Sequence, residues 1–132
     1  MTRANRPPVA GHTEQPMPVP RPDLASAHEL ACADIQGMLV AAPVRDEACS
    51  VLRSRARIGL ERYNAVLTPG NGRDGQRDAI EEAADLVAYL QCGIREGWCR
   101  PRTYTTAMGV FLDLVAGAGH CLKRIADAGA DV

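Results

Sequence analysis

Aromatic side chains are scarce in this chain of 132 residues: Phe, Trp and Tyr make up 4% of it. The apolar share is nonetheless 46%, so a core must be assembled from alanine, leucine, valine and isoleucine. Side chains of that kind suit helices that approach closely. Charge of either sign is also not in excess. The net charge is −1, which argues against a nucleic-acid-binding surface, where a basic excess is the rule. No run of about 18 uncharged apolar residues occurs, so no transmembrane helix is expected. The N-terminus lacks the apolar h-region of a signal peptide. Cys32, Cys49, Cys92, Cys99 and Cys121 are odd in number and no pair is spaced as CxxC. They read as reduced thiols of a cytosolic protein, most of them small core residues. Strand signals are weak throughout and no internal repeat is visible.

What is present is proline at one end and helical periodicity elsewhere. Six of the nine prolines fall in residues 1–22, and "PMPVPRP" places one at every second position. Such a run favours extended polyproline II and excludes a helix. It reads either as a flexible tail or as an arm laid on a surface, a neighbouring subunit being one candidate. Residues 23–132 then form one all-α domain. Asp23 is placed to cap a first helix running to about Ala41, with Leu24, Ala27, Leu30, Ala31, Ile35, Met38 and Leu39 as its apolar stripe. Pro43 breaks the chain. A second helix is expected over Val44–Leu67, a third over Gln76–Glu96 and a fourth over Tyr104–Ala128. "TPGNGRDG" (Thr68–Gly75) is a turn-rich loop between the second and third. Four helices on short connections predict a four-helix bundle. Gly109, Gly117 and Gly119 cost helix propensity, and close helix–helix approach is their expected use.

The third helix is chemically the most informative. On a wheel at about 100° per residue, Ile80, Ala83, Ala84, Val87, Leu90 and Ile94 form one stripe, and Asp78, Glu81, Glu82 and Asp85 gather opposite it. Each like-charged pair at one-turn spacing costs about 0.2–0.5 kcal/mol in an isolated helix. The bland reading is a solvated acidic face, favoured near a helix N-terminus. Against it, the same arc runs on into Tyr89 and Cys92. That continuation predicts packing against another helix, and enclosed carboxylates need a counter-charge. For all-oxygen ligands the natural one is Mg²⁺ or Mn²⁺. Glu61, in "RIGLERYNAV", lies off the stripe of the second helix (Ala48, Leu52, Ala56, Tyr63, Val66). It is either a solvated residue or a further ligand.

"GLERY" followed by "NGRDGQRDAIEEAADLVAYL" resembles the phage branch of the MazG-like, all-α nucleoside triphosphate pyrophosphohydrolases. The match spans about Arg53 to Ile94, a third of the chain. The family pairs an ExxE with a later ExxD whose carboxylates hold Mg²⁺ against substrate phosphates. Glu82-Ala-Ala-Asp85 matches the ExxD and Glu61 the first residue of the ExxE. Asn64 stands where the second Glu belongs, at a position where the phage branch often has glycine. The resemblance implies two to three Mg²⁺ ions, with Mn²⁺ as a substitute, held by Glu61, Glu81, Glu82 and Asp85. It implies cleavage between the α and β phosphates, with Glu81 or Glu61 orienting the water and Asn64 offering a neutral oxygen. Arg73 is assigned to phosphate and Asn71 to sugar or base, although an Asn-Gly turn with Asp74 as helix cap explains the loop equally well. Tyr89 and Trp98 are able to stack on a base, and core packing is the commoner role of each.

Size and motif order also resemble the MazZ subgroup, found in phages that replace adenine by 2,6-diaminopurine. That implies dGTP or GTP as substrate, a phage-type enzyme acting in the host cytoplasm, and a homodimer or homotetramer with neither nucleic acid nor membrane as partner. The competing expectation is a non-catalytic helical interaction protein, degenerate at Asn64. A di-iron carboxylate bundle lacks its Glu-x-x-His pairs, and adjacent His120 and Cys121 point apart on a helix.

Overall fold

A computed structural model describes residues 15–118. Among them are four helices and no strand: α1 (Ala27–Gln36), α2 (Ala42–Tyr63), α3 (Gly75–Glu96) and α4 (Pro101–Gly117). The all-α expectation is met at that level. The described residues form two compact units, Gln15–Arg73 and the residues from Asp74 onward. Each is a helical hairpin, α1 on α2 in the first and α3 on α4 in the second.

In the first unit α1 is shorter than the periodicity suggests. Asp23 is not its cap: its carboxylate is held by Arg21 at 3.1 Å. Ser26 takes the position, its Oγ accepting the Glu29 N–H at 3.1 Å. Gly37 ends the helix, so Met38 and Leu39 fall beyond the stripe assigned to them and are exposed. The hairpin closes on Cys32 and Cys49, both free and 2% exposed. The Cys32 Sγ lies 3.7 Å from the Cys49 carbonyl, and the Cys49 Sγ lies 3.9 Å from that of Cys32. Burial, then the neighbouring Cys49 side chain, pushes the Cys32 thiol above its ordinary range. α2 opens with Pro43 in its first turn, where a missing N–H costs nothing. It stops at Tyr63, four residues before the expected end, with Asn64 as its C-cap.

In the second unit Ile80 and Leu90 of the expected stripe are buried, and Ile80 packs with Ala118 against Phe111, Leu114 and Val115. α4 begins at Pro101 rather than Tyr104, because the ring presets the helical φ at the first turn. Its expected end at Ala128, together with Gly119 and Cys121, lies outside the described residues. Gly109 and Gly117 do not serve close approach among the described residues: a Cβ at either would meet no atom within 4 Å. Gly93 is the glycine of α3 that admits a close approach, and what approaches is the turn after the helix rather than a second helix. A Cβ there would lie 2.7 Å from the Trp98 ring and 2.8 Å from the Cys99 Cβ. No described helix is long and apolar enough to cross a membrane.

Candidate functional site

The loop before α3 is built on turn chemistry. Gly70 and Gly72 adopt φ 68° and 83°, a region open to glycine at little cost. Asp74 caps α3, its side chain accepting the Arg77 N–H at 3.1 Å. Asn71 is 6% exposed, and its Oδ1 accepts the Arg73 N–H at 3.1 Å. Its carbonyl accepts the Val19 N–H at 2.8 Å, and Arg73 Nη1 donates to the Pro16 carbonyl at 3.0 Å. The proline-rich segment thus lies on a loop of its own chain, through backbone groups that no motif signals. The part of the proposed arm before Gln15 lies outside the described residues.

Along α3, positions 78, 82, 85, 89, 93 and 96 fall within an arc of about 80°. Glu82, Asp85, Tyr89 and Glu96 on this strip are exposed. Within its own unit and among the described residues, the acidic arc does not pack against another helix, contrary to expectation. Tyr89 is 68% exposed and Cys92 is also exposed, because α3 turns its opposite face to α4. Beside the strip, Glu81 is ion-paired to Arg77 at 3.0 Å, with the Arg77 side chain 14% exposed. This i,i+4 pair was readable in the spacing, and it places a cation directly on one of the candidate catalytic carboxylates.

Glu61 sits exposed in the last turn of α2. Asn64 is the left-handed C-cap of that helix, with φ 52° and its N–H donating to the Leu60 carbonyl at 2.9 Å. Glycine and asparagine are the residues that tolerate this conformation best. The geometry supplies a backbone reason for asparagine at a position expected to carry glutamate or glycine.

Oxygen donors such as Glu82 and Asp85, one turn apart, are the ligand type of Mg²⁺ and Mn²⁺, so the donor chemistry fits a hard divalent cation. Within either unit, no three His, Cys, Asp or Glu side chains among the described residues are gathered at metal-binding spacing. A metal ion on α3 would need oxygens from a further element. No family model, no curated protein and no solved structure matches the chain.

Proposed function

We propose that the chain is a divalent-metal-dependent nucleoside triphosphate pyrophosphohydrolase that cleaves between the α and β phosphates to give a monophosphate and pyrophosphate. The observation that carries this reading is the exposed strip of α3, where Glu82 and Asp85 are followed on one face by Tyr89. The resemblance of Arg53–Ile94 to MazG-like enzymes supplies the reaction, and the MazZ-like motif order supplies dGTP or GTP as the substrate. Glu82 and Asp85 would hold Mg²⁺ or Mn²⁺ with Glu61, and Asn64 and Glu81 complete the candidate set. When bound, two to three such ions neutralise phosphate charge and lower the pKa of water.

Glu61 is the better of the two candidate bases, since Glu81 is engaged by Arg77. It orients a water for attack on the α phosphorus and takes its proton, while the bond to the bridging oxygen breaks and pyrophosphate leaves. Arg73 contributes cationic contact to the phosphates. Asn71, through its bonds to Arg73 and Val19, holds the loop that presents it. We place the enzyme in the cytoplasm as a homodimer or homotetramer, an assembly that brings in additional oxygen ligands.

The second reading is a non-catalytic helical interaction protein. Asn64 in place of a glutamate and the Arg77–Glu81 pair favour it. A panel of nucleoside triphosphates with Mg²⁺ or Mn²⁺, with products identified, separates the two. The enzyme reading expects pyrophosphate from dGTP, and a loss of more than about 100-fold in Glu82→Gln/Asp85→Asn, as for removal of metal ligands. No turnover of any nucleotide by folded protein overturns it. Full activity in the double variant overturns the metal assignment.

A further inference from the structure

Trp98 is the only tryptophan of the chain, and it is held firmly yet left 61% exposed. Gly97 ends α3 in a left-handed cap with φ 86°. The Trp98 N–H then donates to the Gly93 carbonyl at 2.9 Å. Its ring lies so close to Gly93 that any Cβ there would collide with it. The indole Nε1–H donates to Glu96 Oε2 at 2.8 Å. The ring is thus held by its seat on Gly93 and by Glu96, with one face open; such a ring gains meaning where other exposed apolar groups share its face.

Its position adds the second observation. Gly93 is one turn beyond Tyr89 on the same strip, so the seat of the indole and the exposed Tyr89 follow one another along α3. Asp85 is eight residues before Gly93, about 12 Å along the helix. That is the reach of an extended nucleoside triphosphate. The strip therefore runs from carboxylates to a phenol and then to an indole, seated from the turn after α3, with Glu96 beside it.

We propose that Trp98, seated on Gly93, forms with Tyr89 a stacking platform for the base of a purine nucleotide whose phosphates lie toward Glu82 and Asp85. The proposal rests on the nucleotide reading given above and adds a base-recognition residue to it. Stacking needs only a π-face and favours the larger purine ring. Glu82 and Asp85, one turn apart, mark the phosphate end, whereas Glu96 at the other end is engaged by the indole N–H.

Trp98 emission reports the contact directly. The full-length protein is titrated with dGTP, dCTP and inorganic tripolyphosphate in Mg²⁺, with excitation of tryptophan alone and free N-acetyltryptophanamide as the absorption control. The expected result is saturable quenching by dGTP, weaker quenching by dCTP and none by tripolyphosphate. Tyr89→Leu weakens the dGTP midpoint. Trp98→Leu raises KM for dGTP at least about fivefold, the lower end for base–aromatic stacking, with a smaller change in kcat. Trp98→Phe restores most of the loss. A Trp98 that merely caps α3 would lower Tm in Trp98→Leu and leave KM unchanged. Hydrolysis of dGTP with unchanged emission and unchanged KM overturns the platform but not the enzyme. Quenching without hydrolysis overturns the enzyme but not the platform, and neither signal overturns both.

Discussion

Glu29 on α1 and Arg53 on α2 form an ion pair at 2.9 Å, with side chains 52% and 58% exposed. The side-chain hydrogen bond from Arg53 holds the Glu29 carboxyl below its ordinary value of 4.5. A depressed carboxylate stabilises the fold above its unfolded-state pKa, and the contribution is lost as pH falls through the folded value. The loss therefore belongs to the acid side of 4.5. Thermal melts from about pH 6 to pH 3 should fall less steeply for Glu29→Gln than for the wild type, and the two should converge at the acid end. Addition of salt should shrink the difference, since an exposed pair is screened. A steeper acid limb in the variant would contradict this. Such pairing is illegible in the chain, since its partners are 24 residues apart. Asn64 was half legible. Its place opposite a family glycine was visible, but its use as a left-handed cap depends on a φ that no side-chain pattern reports.

Helix ends illustrate what the sequence carries at the scale of an element. Asp74 was readable as the cap of α3 because Asp before a helical run satisfies an orphan N–H, and the structure places it there. α1 was misread by the same rule. Asp23 and Ser26 are both good caps, and the choice fell to Ser26 because Arg21 engages Asp23, a contact outside any capping motif. The face of α3 that meets α4 was legible from periodicity, since Ile80 and Leu90 are buried as expected. Its opposite face was legible in composition but not in environment, because a wheel shows which residues share an arc and not what lies across from it. Replacing Asp74 by Ala should cost about 1 kcal/mol, the ordinary loss for a cap. A urea titration should show the midpoint lowered with the slope unchanged. Asp74→Asn, which keeps the acceptor oxygen, should stay near the wild type. Equal losses in both variants would show that the charge of Asp74 matters more than its cap.

At the scale of the whole molecule, the acidic strip has two opposite meanings that one measurement separates. A solvated face gains nothing specific from divalent cations beyond general screening. A metal site stabilises the folded chain by mass action, about 2.7 kcal/mol when free metal is a hundredfold above its dissociation constant. Melting should therefore rise with Mg²⁺ at constant ionic strength in the wild type and stay flat in Glu82→Gln/Asp85→Asn, each compared with its own metal-free Tm. Glu61→Gln should reduce the rise without abolishing it, because it removes one ligand from the set. If Mg²⁺ raises Tm equally in the wild type and the double variant, the strip is a solvated face and the cation binds elsewhere.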